Sequence, residues 1–215
     1  ALEIEGLLGI RPSSQVRAAT LSRVFVDGAD TAMAKLNART DWSDEELDTF
    51  VRLLLLQQGG DAIEWNTRVE NSGLREHLNE KLFTRMATAQ PQLAIERLPN
   101  EFSDGLVEDI LTDAFTTLGV SDPELASALL ESVGPQWKEL CELVSMSALA
   151  RHDPARAMLG AEALKYARRD DVIRVIAEEL TRDDLIGALE FTEQIASIEL
   201  RGEALLDFIY RVPVS

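Results

Sequence analysis

The sequence has little of what disulfide-bonded, metal-binding and membrane-spanning proteins depend on. Its 215 residues include one cysteine and two histidines, and aromatic residues make up 6% of the chain. The single cysteine, Cys141, excludes an internal disulfide, and its apolar neighbours predict a buried side chain rather than a reactive thiol. The longest strongly apolar run, Leu53 to Leu56, is far too short to cross a bilayer. We therefore expect a soluble protein with no membrane span.

Basic residues are also scarce. The 21 lysines and arginines face 38 acidic residues, which gives a net charge of −17. Nucleic-acid binding requires clustered cations that release counterions, so we expect no nucleic-acid partner, and an anionic lipid surface would repel the chain. The same charge favours basic partners. The expected localisation is cytoplasmic; because the chain begins with Ala1, an exported form that has lost a signal peptide stays open as the alternative.

The common motifs of phosphate, metal and acyl-transfer chemistry are missing. The sequence contains no G-x-G-x-x-G, Walker loop, H-E-x-x-H, paired C-x-x-C, EF-hand loop or G-x-S-x-G. The two histidines, His77 and His152, are 75 residues apart. We therefore predict no metal site, no cofactor and no catalytic residue. With 38 acidic residues, a pair of carboxylates carries no specific signal.

What the sequence does contain is a helical pattern along almost its whole length. Apolar residues recur three and four positions apart, and strand-like alternation is rare, so we predict an all-α fold. Ser43 to Glu46 form a capping box, and the Asp-Pro pairs at 122–123 and 153–154 place an N-cap acid before a proline. About a dozen helices are predicted, among them Val16–Phe25, Asp44–Gln58, Leu106–Leu118, Trp137–Leu149, Ala155–Tyr166, Asp171–Leu180 and Leu185–Ile195.

The caps recur with a period. Repeats that begin at Ala29, Gly60, Pro91, Pro123, Pro154 and Leu185 follow one another at spacings of 31 or 32 residues. The fourth place of five of the six repeats is alanine; the six residues in order are Ala32, Ile63, Ala94, Ala126, Ala157 and Ala188. A small side chain at a fixed place is what a close crossing of two helices requires.

Each repeat is predicted to hold a first helix of about ten residues, a turn and a second helix of about a dozen. About six such hairpins would stack into a right-handed αα-superhelix with a period of about 31 residues. Residues 1–28 are predicted to form an N-terminal helical cap, continuous with a solenoid over 29–215, in one domain. The pattern from Ala29 to Arg211 resembles the αα-solenoid class that includes tetratricopeptide and HEAT-type repeats, although the Trp, Leu-Gly and Tyr positions of the former are not reproduced.

Two sets of side chains recur in the later repeats. The ninth place holds Glu131, Glu162 and Glu193, and the sixteenth holds Arg75, Lys138 and Arg169, with Arg201 one residue off register. One interpretation is a structural series of ion pairs between the two places, since cations near a helix start need a compensating charge. The other is an acidic groove that binds a partner through the three glutamates.

Among the three tryptophans, Trp65 is the best candidate for an exposed aromatic anchor in a binding surface. Trp42 and Trp137 are predicted to pack against the protein itself, Trp42 as the apolar half of a staple before a helix cap. The candidate binding residues are therefore Trp65, Glu131, Glu162 and Glu193.

Three functions follow from these observations. The first is a scaffold whose curved surface binds a protein or a peptide, with a preference for basic partners. The second is an accessory or catalytic helical domain of an enzyme that uses carboxylates in a deep pocket. The third is a structural or assembly subunit, which a large apolar end face would distinguish, and which leaves self-association open.

Overall fold

A computed structural model describes residues 23–181 and 184–211. Every regular element in these two ranges is a helix and none is a strand, which confirms the all-α prediction for this part of the chain. The chain divides into two compact units at the junction of Ala89 and Gln90. Residues 23–26 are helical, while the rest of the predicted helix over 16–25, most of the predicted cap over 1–28 and the last four residues lie outside the described ranges.

Residues 29–89 of the N-terminal unit form four α-helices, which we number α1 to α4. They are α1 Ala29–Asn37, α2 Asp44–Gln58, α3 Ala62–Asn66 and α4 Ser72–Ala89. Helix α2 begins at the predicted capping box, in which Ser43 and Glu46 each bond the other's backbone. Glu46 is fully buried there, and Arg39 donates to both of its carboxylate oxygens at 2.8 and 3.0 Å. This buried ion pair ties the end of α1 to the start of α2.

The described residues of the C-terminal unit form eight α-helices. They are α5 Pro91–Glu96, α6 Asp104–Ser121, α7 Pro123–Leu129, α8 Lys138–His152, α9 Pro154–Ala161, α10 Arg169–Leu180, α11 Leu185–Glu193 and α12 Ile198–Arg211. Asp122 and Asp153 cap α7 and α9 through their side chains, as predicted, and Asp184 caps α11 in the same way.

Long helices of the C-terminal unit pack in series. Helix α8 contacts α6 on one side and α10 on the other, and α10 in turn contacts α12. The short helices α7, α9 and α11 each lie against the long helices that precede and follow them. At the α6–α8 crossing, a Cβ on Gly119 would lie 2.9 Å from the Cα of Ser145, so only glycine permits this approach.

The alanines at the fourth place of the repeats are buried in the structure. Ala32, Ala94, Ala126, Ala157 and Ala188 are each at most 1% exposed. Ile63 is half-buried, and its neighbour Ala62 is the fully buried residue of that helix. Small residues are therefore buried at five of the six predicted places, which suits close packing of helices.

Several helix lengths differ from the prediction. The first helices are shorter than ten residues, and α3 has only 5. The helix predicted over Ala155–Tyr166 ends at Ala161, because the backbone that follows turns its N–H groups toward the carboxylate of Glu142. Cys141 is fully buried, as expected, and desolvation raises the pKa of its thiol to about 12.

Candidate functional site

A groove of about 390 Å³ lies between the short helices α7 and α9, with α8 as its floor. We call it the α7–α9 groove. Its apolar lining comprises Ala126, Leu130, Met146, Leu149, Leu159 and Leu164. The volume falls within the range of sites that hold a small ligand or the side chains of a peptide.

Leu159 is the most exposed large apolar side chain of the groove. It lies on the α9 wall and is 75% exposed. The next residue is Gly160, where a Cβ would lie only 2.8 Å from the terminal methyl of Met146. The missing side chain therefore lets Met146 of the floor reach the wall. An apolar surface that continues from floor to wall and ends in an exposed leucine suits an apolar side chain from a partner.

The buried carboxylate on the floor of the groove is hydrogen-bonded within the protein itself. Glu142 on α8 is 7% exposed, and its carboxylate accepts three backbone N–H groups of the α9–α10 loop. The distances are 2.9 Å from Lys165, 2.7 Å from Tyr166 and 2.6 Å from Ala167. These bonds fix the loop that carries Leu164 against α8. Since the carboxylate is already bonded, it anchors the groove and has little capacity left for a ligand.

One ion pair joins the two walls at the rim. Arg156 of α9 donates through Nη2 to the Oε1 atom of Glu124 in the first turn of α7. The Arg156 hydrogen bond holds the pKa of the Glu124 carboxyl below its ordinary value. The two side chains are 46% and 76% exposed, so the pair contributes little to stability and exchanges partners at low cost. A cation on a partner can therefore take the place of Arg156.

No protein-family model, curated protein or solved structure matches this chain. Within residues 23–181 and 184–211, no group of three or more His, Cys, Asp or Glu side chains is placed to hold a metal ion. In the same part of the chain, every helix is too short or too polar to cross a membrane.

The three predicted glutamates occupy equivalent places at the ends of short helices. Glu131 lies in the 3₁₀ turn after α7, Glu162 caps the C-terminus of α9, and Glu193 is the last residue of α11. Lys138 donates to Glu131 at 2.8 Å and Arg169 to Glu162 at 2.9 Å, so the predicted pairing between the ninth and sixteenth places forms in two repeats.

The last repeat lacks this pair among the described residues. Glu193 is exposed, and Arg201 donates to the backbone carbonyl of Ile195 at 2.8 Å instead. In the N-terminal unit, Arg75 bonds the backbone carbonyl of Val69 in a similar way at 3.3 Å. A binding role for the three glutamates stays a prediction.

Glu131 belongs to a larger network than the sequence indicated. Besides Lys138, it accepts a hydrogen bond from the hydroxyl of Tyr166 at 2.8 Å, and Lys165 Nζ lies 3.6 Å away. Lys138 also donates to the Tyr166 oxygen at 3.0 Å. Hydrogen bonds from Lys138 and Tyr166 lower the pKa of the Glu131 carboxyl to about 2. The carboxylate is therefore charged at every physiological pH and joins the end of α7 to the α9–α10 loop.

Trp65, the predicted aromatic anchor, lies in the N-terminal unit. It is half-buried, and the guanidinium carbon of Arg68 lies 4.1 Å from the centre of its ring. Arg68 also pairs with Asp30 at 2.6 Å. One face of the indole is thus covered by an ion-paired arginine, which leaves less of Trp65 for a partner than the sequence suggested.

Sequence reasoning missed the groove because its residues carry no motif. Leu159 is a single exposed leucine in a short helix, and single exposed leucines are ordinary. The available signal was Gly160, a glycine inside a predicted helix, where it costs helix stability relative to alanine. Such a residue marks a close contact, which here is the contact with Met146.

Proposed function

We propose that this chain is a helical-repeat scaffold that binds a peptide segment of a partner protein in the α7–α9 groove. The observation that carries the proposal is the groove's mainly apolar lining, which includes the exposed side chain of Leu159. The partner segment supplies an apolar side chain for the groove and a lysine or arginine beside it.

Apolar burial supplies the affinity in this proposal. The floor side chains Met146 and Leu149 and the wall side chain Leu159 bring apolar atoms to one cleft, whose charged floor residue is already bonded within the protein. Burying one leucine-sized side chain of a partner there is worth about 2 kcal/mol. Several such contacts along an extended segment give the micromolar affinity that is typical of peptide recognition.

Charge supplies the preference for a basic partner. A net charge of −17 attracts cationic segments over long range. At the groove itself, Glu124 is an exposed carboxylate whose present partner, Arg156, is also exposed to solvent. A partner cation that pairs with Glu124 frees Arg156 to turn toward solvent, so the exchange costs little.

The scaffold is proposed to be an αα-solenoid with a period of about 31 residues, stacked as a right-handed superhelix. Support comes from the regular alternation of short and long helices, from the Asp-Pro caps of α7 and α9, and from the buried alanines at the fourth place. Repeats of this kind expose a row of equivalent grooves. The α7–α9 groove carries the exposed side chain of Leu159 on one of its walls.

The test is selection of peptides from a random displayed library on the purified chain, followed by fluorescence anisotropy of the selected peptides. We expect sequences with an apolar residue next to lysine or arginine, and binding that weakens as salt rises. Leu159→Asp is expected to reduce affinity at least about 30-fold. Leu56→Asp is the matched control, because Leu56 is 73% exposed on a helix of the other compact unit.

The possible results distinguish binding in the α7–α9 groove from binding elsewhere. Loss of binding in the Leu159 variant with retention in the Leu56 variant supports the groove. Selected peptides that bind both variants equally, or a library that yields no binder, would overturn the proposal. Glu124→Gln tests the contribution of charge to peptide binding. This variant is expected to reduce the salt dependence of the affinity while part of the affinity remains.

A further inference from the structure

One place in the α7–α9 groove is built differently from the corresponding places of the two adjacent repeats. At the predicted spacing, the seventh places of the last three repeats are Leu129 of α7, Gly160 of α9 and Phe191 of α11. Leu129 is 6% exposed, and Phe191 is half-buried and packs against two hydrophobic clusters that include residues of α9, α10 and α12. The α9 wall of the groove thus lacks the apolar side chain that both adjacent short helices supply.

The long helices show the opposite pattern. Each of the three short helices lies against the long helix that precedes it, α7 against α6, α9 against α8 and α11 against α10. Met146 of α8 follows Ala114 of α6 by 32 residues and precedes Ala177 of α10 by 31, and these alanines are 0% and 3% exposed. Two of the three helix pairs therefore combine a large side chain on the short helix with alanine on the long one. The pair that forms the groove has glycine on the short helix and methionine on the long one.

The side chain of Met146 occupies the space that a side chain at position 160 would use. A Cβ on Gly160 would lie 2.8 Å from the methyl carbon of Met146 and 3.2 Å from its sulfur. Met146 lines the groove and is half-buried, so its end is accessible from solvent. Methionine is unbranched, with three rotatable bonds, and therefore fills an irregular gap and leaves it at low cost. Met146 is thus a side chain that a partner can displace without moving a helix.

We propose that the apolar side chain of the partner segment is aromatic, and that it displaces Met146 and takes the place that Phe191 has in the next repeat. This inference rests on the function proposed above and specifies its anchor. Phe191 shows that the fold holds an aromatic ring at this place, and Leu129 shows that it also holds a leucine. The sulfur of Met146 decides between them, because a thioether makes a favourable contact with the edge of an aromatic ring. Met146 is therefore the residue that determines the specificity of the groove.

The test is an NMR titration of the full chain labelled with ¹³C at its methionine methyl groups. The sequence contains four methionines, so Met146 gives one of only four signals. The probes are N-acetyl-phenylalanyl-lysine amide and its leucyl and alanyl analogues, each at up to about 10 mM, which covers the millimolar affinity expected of a single anchor. We expect the phenylalanyl probe to shift the Met146 signal through the ring current. It is also expected to bind at least about threefold more tightly than the leucyl probe.

Gly160→Phe supplies a ring to the groove from within the chain, as Phe191 does in the next repeat. In this variant we expect the Met146 signal to be shifted without any probe, and the phenylalanyl probe to have no further effect. Gly105→Phe is the matched control, because Gly105 is a helical glycine at which a Cβ would meet nothing within 4 Å. The control variant is expected to bind the phenylalanyl probe as the wild type does.

Met146→Leu tests the contribution of the sulfur. The substitution nearly conserves the volume of the side chain and removes the thioether. Binding is then followed through the signals of the probes themselves. We expect the preference for the phenylalanyl over the leucyl probe to become smaller than in the wild type.

A Met146 signal that responds to the phenylalanyl probe in the wild type and in Gly105→Phe, but not in Gly160→Phe, would support the inference. A leucyl probe that binds as tightly as the phenylalanyl probe would overturn it, as would a Met146 signal that the phenylalanyl probe leaves unchanged. The proposed function survives either result if library-selected peptides still lose affinity in Leu159→Asp, so the two failures are distinguishable. Far-UV circular dichroism identifies a Gly160 variant that fails to fold. The comparison of the probes on the wild type then decides the question, because it needs no variant.

Discussion

The carboxylate of Glu142 is the best place to test how the groove is built. It accepts three backbone N–H groups from residues 165–167 and is 7% exposed. Glu142→Gln keeps the size and shape of the side chain but replaces one acceptor oxygen with an NH₂ group, a donor that faces other donors. At least one backbone N–H then loses its acceptor. One of the three donors is the N–H of Ala167, which is a buried residue.

The size of the effect follows from these bonds. A hydrogen bond to a charged group contributes about 1.5–3 kcal/mol, and a buried donor without an acceptor costs about 1–3 kcal/mol. We expect Glu142→Gln to lower the free energy of unfolding by about 3 kcal/mol. For a chain of this length, each kcal/mol corresponds to about 2–4 °C in Tm, so the expected decrease is about 10 °C.

The measurement is thermal unfolding by circular dichroism at pH 7, with hydrogen exchange at residues 165–167 as a local readout. Glu139→Gln is the matched control, because Glu139 is exposed on the same helix almost one turn earlier. Its Tm is expected to change by less than about 2 °C. A Glu142 variant that matches this control, with unchanged exchange in the loop, would show that the three bonds do not hold the loop.

Other predictions concern the packing and the titration of single residues. Gly119→Ala is expected to lower the free energy of unfolding by about 1–3 kcal/mol, because the new Cβ clashes with α8. Gly105→Ala in the same helix has open space and should be neutral or stabilising. Equal Tm values for the two variants would contradict the crossing geometry. Glu46 is fully buried, and although desolvation alone would raise its pKa, hydrogen bonds from Arg39 and Ser43 outweigh it and hold the pKa below 4.5. The ionised carboxylate of Glu46 therefore stabilises the fold fully above pH 4.5, and this contribution is lost as the pH falls through the pKa of the folded state. Glu46→Gln should lower the free energy of unfolding by about 3 kcal/mol at pH 7 and flatten the acid limb of a Tm-against-pH curve. Cys141, with its raised pKa, should react with a thiol reagent only after denaturation; rapid labelling of the native protein at pH 7.5 would contradict its burial.

Much of the fold was predictable because local rules agree with the packing. The capping box at Ser43 fixes the start of α2, and Asp122 and Asp153 fix the starts of α7 and α9. The alanines at the fourth place of the predicted repeats are buried. The end of α9 was mispredicted, since the competing interaction comes from Glu142, which is 23 residues away from Lys165 along the chain. The residues near the end of α9 give no indication of such a bond.

The candidate site was harder to predict from the sequence than the fold. The pairing of Glu131 with Lys138 followed from their places in the repeat, but the contribution of Tyr166 depends on the path of a loop. Trp65 was predicted to be more available than it is, because Arg68 on its ring follows it by only three residues at the end of a short helix. The groove depends on which leucines remain uncovered after packing, and that is a property of the assembled helices.

The serial packing of the long helices also affects how the C-terminal unit folds. Since α8 contacts α6 and α10, and α10 contacts α12, contacts form between segments that are near one another along the chain. Such a topology closes only short loops, so folding can nucleate at one adjacent pair and spread in both directions. Helix α12 has a neighbouring long helix on one side among the described residues, whereas α8 has one on each side. Native-state hydrogen exchange should therefore show a gradient, with α12 opening first and the helix under the groove among the last to open.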